Sequence, residues 1–252
     1  MALPTFTPYP RPPPPPPFRV IRDQIQLKGS PTRIYFYCGG IGSIVCGFAI
    51  LFVGIILILL LLGIGFFYPS GYWESLLMYS FCFLSIGCIM IGLGFYGFYR
   101  NYGTALGLAT MIFSIMASLP WIALSLQLAA VLPEITYEEF EATRIVFVYL
   151  LCSGTIGWGI MLILQGVTVC RVSLFTAAPA LTKATSIVMI FSGALFCSVT
   201  GIFFSEFYLA ALSYIILTYF FGGFFLAVLS YFILTVVFFL EAFIPSTIRK
   251  PR

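Results

Sequence analysis

Only a few side chains in this sequence have chemistry to offer, and most sit where water is scarce. Gln127 and Gln165 are amides embedded in long apolar runs. Each is a candidate for lining a polar cavity, and Gln165, in ILQGV, is placed to coordinate a substrate. The simpler reading of both is an interhelical hydrogen bond. Glu134, Glu138 and Glu141 follow an i, i+4, i+7 spacing that puts three carboxylates on one face of a short helix. Thr136 and Glu139 fit a T-x-x-E capping box. Such a face would hold a divalent cation or a basic partner weakly, but it reads more simply as a capped, solvated surface helix.

Several mechanisms are excluded outright. The chain has no histidine, so Ser–His and Cys–His nucleophiles and His-ligated metals cannot be assembled from it. Asp23 is the only aspartate, which rules out a paired-aspartate intramembrane site. No G-x-x-x-x-G-K-[ST], HExxH or G-x-S-x-G occurs. The seven cysteines (Cys38, Cys46, Cys82, Cys88, Cys152, Cys170 and Cys197) fall in or beside apolar runs with no CxxC pair. They read as small apolar helix residues rather than a zinc site or a disulfide framework. No catalytic residue, metal ligand or cofactor site is assigned, and a non-enzymatic protein is expected.

The elements that would carry these residues follow from composition. Of 252 residues, 61% are hydrophobic and 8% charged, against about 25% charged in a soluble domain. Such a chain has too little polar surface to cover a water-soluble globule, whereas lipid accepts an apolar exterior. A helix crossing a hydrocarbon core about 30 Å thick needs about 20 apolar residues. Six runs are long enough: 34–67, 76–98, 104–132, 145–170, 184–204 and 208–240. The expected fold is an all-α, polytopic transmembrane bundle over residues 34–244, with a short basic tail at 245–252. The first run is too long for a signal-peptide core and is expected to stay as an anchor. The last run contains Gly222-Gly223, a candidate kink or break, so seven spans are the alternative to six. Pro120 should kink the third span.

Charge favours six. With an even span number, Arg11, Arg19, Arg22, Lys28, Arg33, Arg100, Arg171, Lys183, Arg249, Lys250 and Arg252 share one side, and only Arg144 lies opposite. Glu74, Glu134, Glu138, Glu139, Glu141 and Glu206 fall on the other side, leaving Asp23 and Glu241 with the basic residues. Basic loops mark the cytoplasm, so both termini are expected there, in a membrane the sequence does not name.

Association of spans in lipid depends on close packing of small residues. Gly40/Gly47/Gly54, Ser80/Gly87/Gly94, Gly103/Thr110/Ala117, Cys152/Gly159/Gly166 and Ser186/Gly193/Thr200 each recur every seven residues, which keeps to one helix face. Gly103 and Gly107 form a strict GxxxG. These glycines are expected to pack helices, within one chain or between copies. The functional expectation is a membrane structural or interaction protein. The alternative is a channel or facilitated transporter for a small solute.

Residues 1–33 differ in kind. Pro12 to Pro17 form an unbroken run that should be extended polyproline II in a disordered, basic cytoplasmic tail. Arg11, Pro14, Pro17 and Arg19 fit SH3-ligand spacing in both orientations. A tail peptide of residues 1–33 is expected to bind SH3-type or profilin-like domains in fluorescence-anisotropy titrations. Equal binding by a scrambled peptide of the same composition would reduce that recognition to charge and proline content.

Overall fold

A helix in lipid satisfies its own backbone groups, so apolar runs of this length have one stable form. The computed structural model describes residues 33–61, 72–131, 137–204 and 213–243, and all of its long elements are helices. These are α1 (Arg33–Leu61), α2 (Tyr72–Tyr102), α3 (Ala105–Val131), α4 (Tyr137–Val172), α5 (Pro179–Phe204) and α6 (Ser213–Phe243). A single 3-10 turn, Ser173–Phe175, follows α4. Among the described residues, six helices are long and apolar enough to cross a membrane, and no strand is present. Tail residues Arg11, Pro14, Pro17 and Arg19, with Glu134 and Glu206, lie outside the described residues.

Consecutive helices run antiparallel and pack side by side, and α6 returns to α1, closing a ring. One end of the ring, here the Arg33 end, holds the start of α1, the α2–α3 turn, the α4–α5 connection and the end of α6. Its tightest turn is Gly103–Thr104, where Gly103 takes φ +66° and its N–H donates to Tyr99 O at 2.9 Å. Glycine ends the helix there because a left-handed residue carries no Cβ penalty without a side chain. Gly103 therefore terminates α2: a Cβ on it would meet nothing within 4 Å, so it does not pack helices as its spacing suggested. Pro179 opens α5, at a first turn whose N–H needs no helical partner.

The ring faces outward with large apolar side chains. Phe52, Phe83, Leu119, Ile160, Phe191 and Phe225, one from each helix, are all exposed. In water such a surface would aggregate; lipid accepts it. The inward stripes recur every three and four residues. On α2 the buried apolar side chains are Phe81, Leu84, Cys88, Ile91, Phe95, Phe98 and Tyr102. That alternation is the seam of left-handed helix packing.

Glycines set how near the helices come. Gly39 on α1 and Gly94 on α2 are so close that a Cβ on either would lie 2.7 Å from the other's Cα. Gly42 and Gly87 repeat this approach further along the same pair. Gly107 on α3 fits against the α2 backbone at Phe95 and Tyr99. On α4, Gly159 meets Gly193 of α5, and Gly166 meets Ser186 and Ile190. Gly40, Gly47 and Gly54 receive the rings of Phe239, Phe232 and Phe224 from α6, one glycine per ring.

Gly222-Gly223 and Pro120 both lie inside unbroken helical segments. α6 runs unbroken through Gly222–Gly223. Gly223 faces Leu195 and Phe196 of α5, and its carbonyl accepts the Ser192 hydroxyl at 3.0 Å, so the pair admits a neighbour and leaves the helix intact. Pro120 lies inside α3, which continues to Val131 on both sides of the lost N–H. The Ser118 hydroxyl beside it donates to Ile115 O at 2.6 Å.

The two classes of glycine should separate on mutation. Gly193→Ala puts a methyl inside contact distance of the Gly159 carbonyl and should cost about 1–3 kcal/mol, the usual range for overpacking. Gly222→Ala meets open space and should be neutral or stabilise by up to about 1 kcal/mol through the unfolded state. Unfolding midpoints in detergent measure both, and equal effects would overturn the assignment.

Candidate functional site: polar groups inside the bundle

The stripes that bury aromatic rings also carry a few polar groups inward. At mid-height, the Trp158 indole of α4 donates to the Tyr231 hydroxyl of α6 at 2.9 Å, with the rings nearly parallel at 11°. Phe196 stands 4.8 Å from Trp158, and Trp121 packs edge-on to the same indole. Nearer the Arg33 end, Phe98 of α2 stacks on Phe238 of α6, with centroids 5.5 Å apart. Side chains from helices that are not neighbours in the ring therefore meet inside it.

Most hydroxyls are satisfied within their own helix. Ser43, Ser85, Ser125, Thr185 and Thr235 each donate to the carbonyl four residues earlier. This back-bonding lets small polar residues sit in an apolar core without a partner helix. A smaller set bridges helices. Thr110 of α3 and Thr168 of α4 share a 2.7 Å hydrogen bond, and the Gln165 amide nitrogen donates to Ser114 Oγ at 3.4 Å.

Glu241 is the chief residue that span-by-span reading misses. The apolar run was ended at Leu240, which left this carboxylate at the membrane edge. In the structure it lies within α6 and is 5% exposed. One oxygen accepts the Tyr102 hydroxyl from the end of α2, and the other accepts the Ala177 N–H at 2.9 Å from the α4–α5 connection. The Tyr102 hydroxyl also lies 3.5 Å from Phe175 O. One carboxyl thus ties together three segments at the Arg33 end. The signal was present in the stripe: Ala227, Tyr231, Leu234 and Phe238 are buried at helical spacing, and Glu241 is the next position on that face.

The other sequence candidates are placed as follows. Gln165 is fully buried and faces α3. Gln127 is half-buried near the opposite end of α3, 13 residues beyond Ser114. At 1.5 Å per residue that separation is about 20 Å, so the two amides do not share one site. Glu138, Glu139 and Glu141 fall within the first turns of α4, which begins at Tyr137. All seven thiols are free: Cys46 and Cys88 are buried with their sulfurs 4.0 Å apart, and Cys82 and Cys170 are exposed on the outer face. Among the described residues, no group of three or more Cys, Asp or Glu is arranged to hold a metal ion.

Comparison with known proteins adds no assignment: no protein-family model, no curated protein and no solved structure matches this chain.

The tying role of Glu241 has a direct consequence. Glu241→Leu removes the acceptor of the Ala177 N–H and the shorter bond of the Tyr102 hydroxyl, and should cost about 1–3 kcal/mol, the penalty for taking the acceptor from a buried donor. Glu241→Gln keeps an acceptor and should lose less. Thermal unfolding in detergent compares the two, and an unchanged midpoint for Glu241→Leu would reject the role.

Proposed function

We propose that this chain is a multi-pass integral membrane protein with a structural or interaction role, not a catalytic one. Both termini face the cytoplasm, and the tail over residues 1–33 is available to proline-recognition domains. The glycine faces serve packing within the bundle, and the apolar exterior offers surface to lipid, to neighbouring membrane proteins or to further copies of the chain.

One observation carries this reading: inward side chains of helices that are not neighbours in the ring meet one another. Trp158, Phe196 and Tyr231 pack together inside the ring, as do Phe98 and Phe238, and the Trp158 N–H donates to the Tyr231 hydroxyl. A bundle packed in this way supports a scaffold better than a conduit, which needs polar groups lining a water-filled path. The sidedness rests on the charge distribution, with every basic residue but Arg144 at one face. The competing conduit reading draws on a kink at Pro120 and a break at Gly222-Gly223; Pro120 lies inside α3, and α6 is continuous through the glycine pair.

Reconstitution tests the proposal. Proteoliposomes are expected to pass water, glycerol and urea no faster than protein-free liposomes in stopped-flow light scattering; flux above that background would replace the scaffold with a channel. Sidedness is read separately on intact cells. An impermeant maleimide should label Glu138→Cys from outside, and should label Ser246→Cys only after permeabilisation. The reverse pattern would invert the topology.

A further inference from the structure

The seams between neighbouring helices are not alike. α1–α2 and α4–α5 close on glycine, backbone against backbone. In the half of the bundle near the Arg33 end, α3–α4 closes on side-chain polar groups. Thr110 and Ser114 lie four residues apart on α3, and Gln165 and Thr168 three apart on α4, so each pair shares a helix face. All four residues are fully buried.

One rung of this seam balances its hydrogen bonds. The Thr168 hydroxyl proton goes to Leu164 O at 2.8 Å, so Thr110 donates across the seam to Thr168. The other rung does not balance. Gln165 Nε2 donates to Ser114 Oγ, and among the described residues no protein group lies within hydrogen-bonding reach of Gln165 Oε1. Ser114 accepts that bond, and among the described residues no acceptor takes up its own O–H. An unspent acceptor and an unspent donor therefore lie on the two sides of a single contact. Exchanging the amide oxygen and nitrogen lets the Ser114 hydroxyl donate to Oε1 and leaves the NH2 group as the unspent end. In a lipid-embedded interior this is costly, since no bulk water competes to satisfy either group.

We propose that the rung holds one bound water molecule, which donates to Gln165 Oε1 and accepts the Ser114 hydroxyl. Water supplies a donor and an acceptor on one atom, and that is what the two protein groups lack. Buried waters occupy such sites, where otherwise-unpaired polar groups converge. The water makes α3–α4 a hydrated seam between helices that glycine does not lock together there.

Two measurements on the full-length protein test this. Crystals grown in a lipidic mesophase should show a density peak about 2.7–3.2 Å from both the Gln165 amide and Ser114 Oγ, and the peak should vanish in Gln165→Met. Ordered density for both side chains with no peak between them would overturn the proposal. So would a Gln165 amide paired directly with another protein group. Solid-state NMR of the wild type in bilayers reads the same site without relying on a variant. Magnetisation from water should reach the Gln165 side-chain nitrogen faster than it reaches the Trp158 indole, whose N–H is spent on Tyr231. Build-up no faster than at Trp158 would mean that the seam is dry.

Discussion

Backbone-to-backbone approach at glycine is the constraint from which the rest of this bundle follows. Lipid is as apolar as leucine, so burying leucine between two helices gains little over leaving it in the membrane. What favours association is dispersion contact at short range, and that requires the helices to come close. Gly39 against Gly94, Gly42 against Gly87 and Gly159 against Gly193 set the spacing of the ring at three points. With the walls so near, side chains of helices that are not neighbours reach one another inside the ring, and rings as large as Trp158 and Tyr231 stack there. The glycines of α1 accept the phenylalanines of α6 by the same logic, small residue facing large, and so complete the circle.

Polar groups are placed by the same geometry and then have to be satisfied where they fall. Most are serines and threonines that return their proton to their own helix, which makes them nearly neutral guests in an apolar core. Those that cannot do so become ties. Trp158 and Tyr231 join α4 to α6, Thr110 and Thr168 join α3 to α4, and Glu241 joins α6 to the end of α2 and the α4–α5 connection. The ties concentrate toward the Arg33 end, where short connections bring several backbone groups within reach of one carboxyl.

The number of apolar runs, their helical form and their outward apolar faces were legible from the sequence, because lipid leaves a long apolar segment no alternative to a self-satisfied helix. The heptad spacing of small residues named Gly87, Gly94, Gly159, Gly166 and Gly193, which lie at α1–α2 and α4–α5 contacts. The same pattern named Gly103, which caps a helix instead, because periodicity does not distinguish a packing glycine from one that takes a left-handed turn. It offered Gly222-Gly223 as a candidate kink or break for a related reason. Glycine weakens a helix only where nothing else supports it, and here α5 packs against Gly223.

Gln127 and Gln165 began as two candidates for one polar cavity. Sequence by itself established that each is an amide within an apolar helix, since that depends only on local composition. Which neighbour each faces depends on which helices adjoin and at what rotation, and only the tertiary structure decided that. It set Gln165 against Ser114 and left Gln127 near the far end of α3. Glu241 shows the same division. Its charge placed it at a membrane edge, and the rotation of α6 turned it inward to meet Tyr102, a partner 139 residues away in the chain. Local patterns fix which segments are helices, because each helix satisfies itself. The polar contacts belong to pairs of helices, and pairing is a property of the assembled ring.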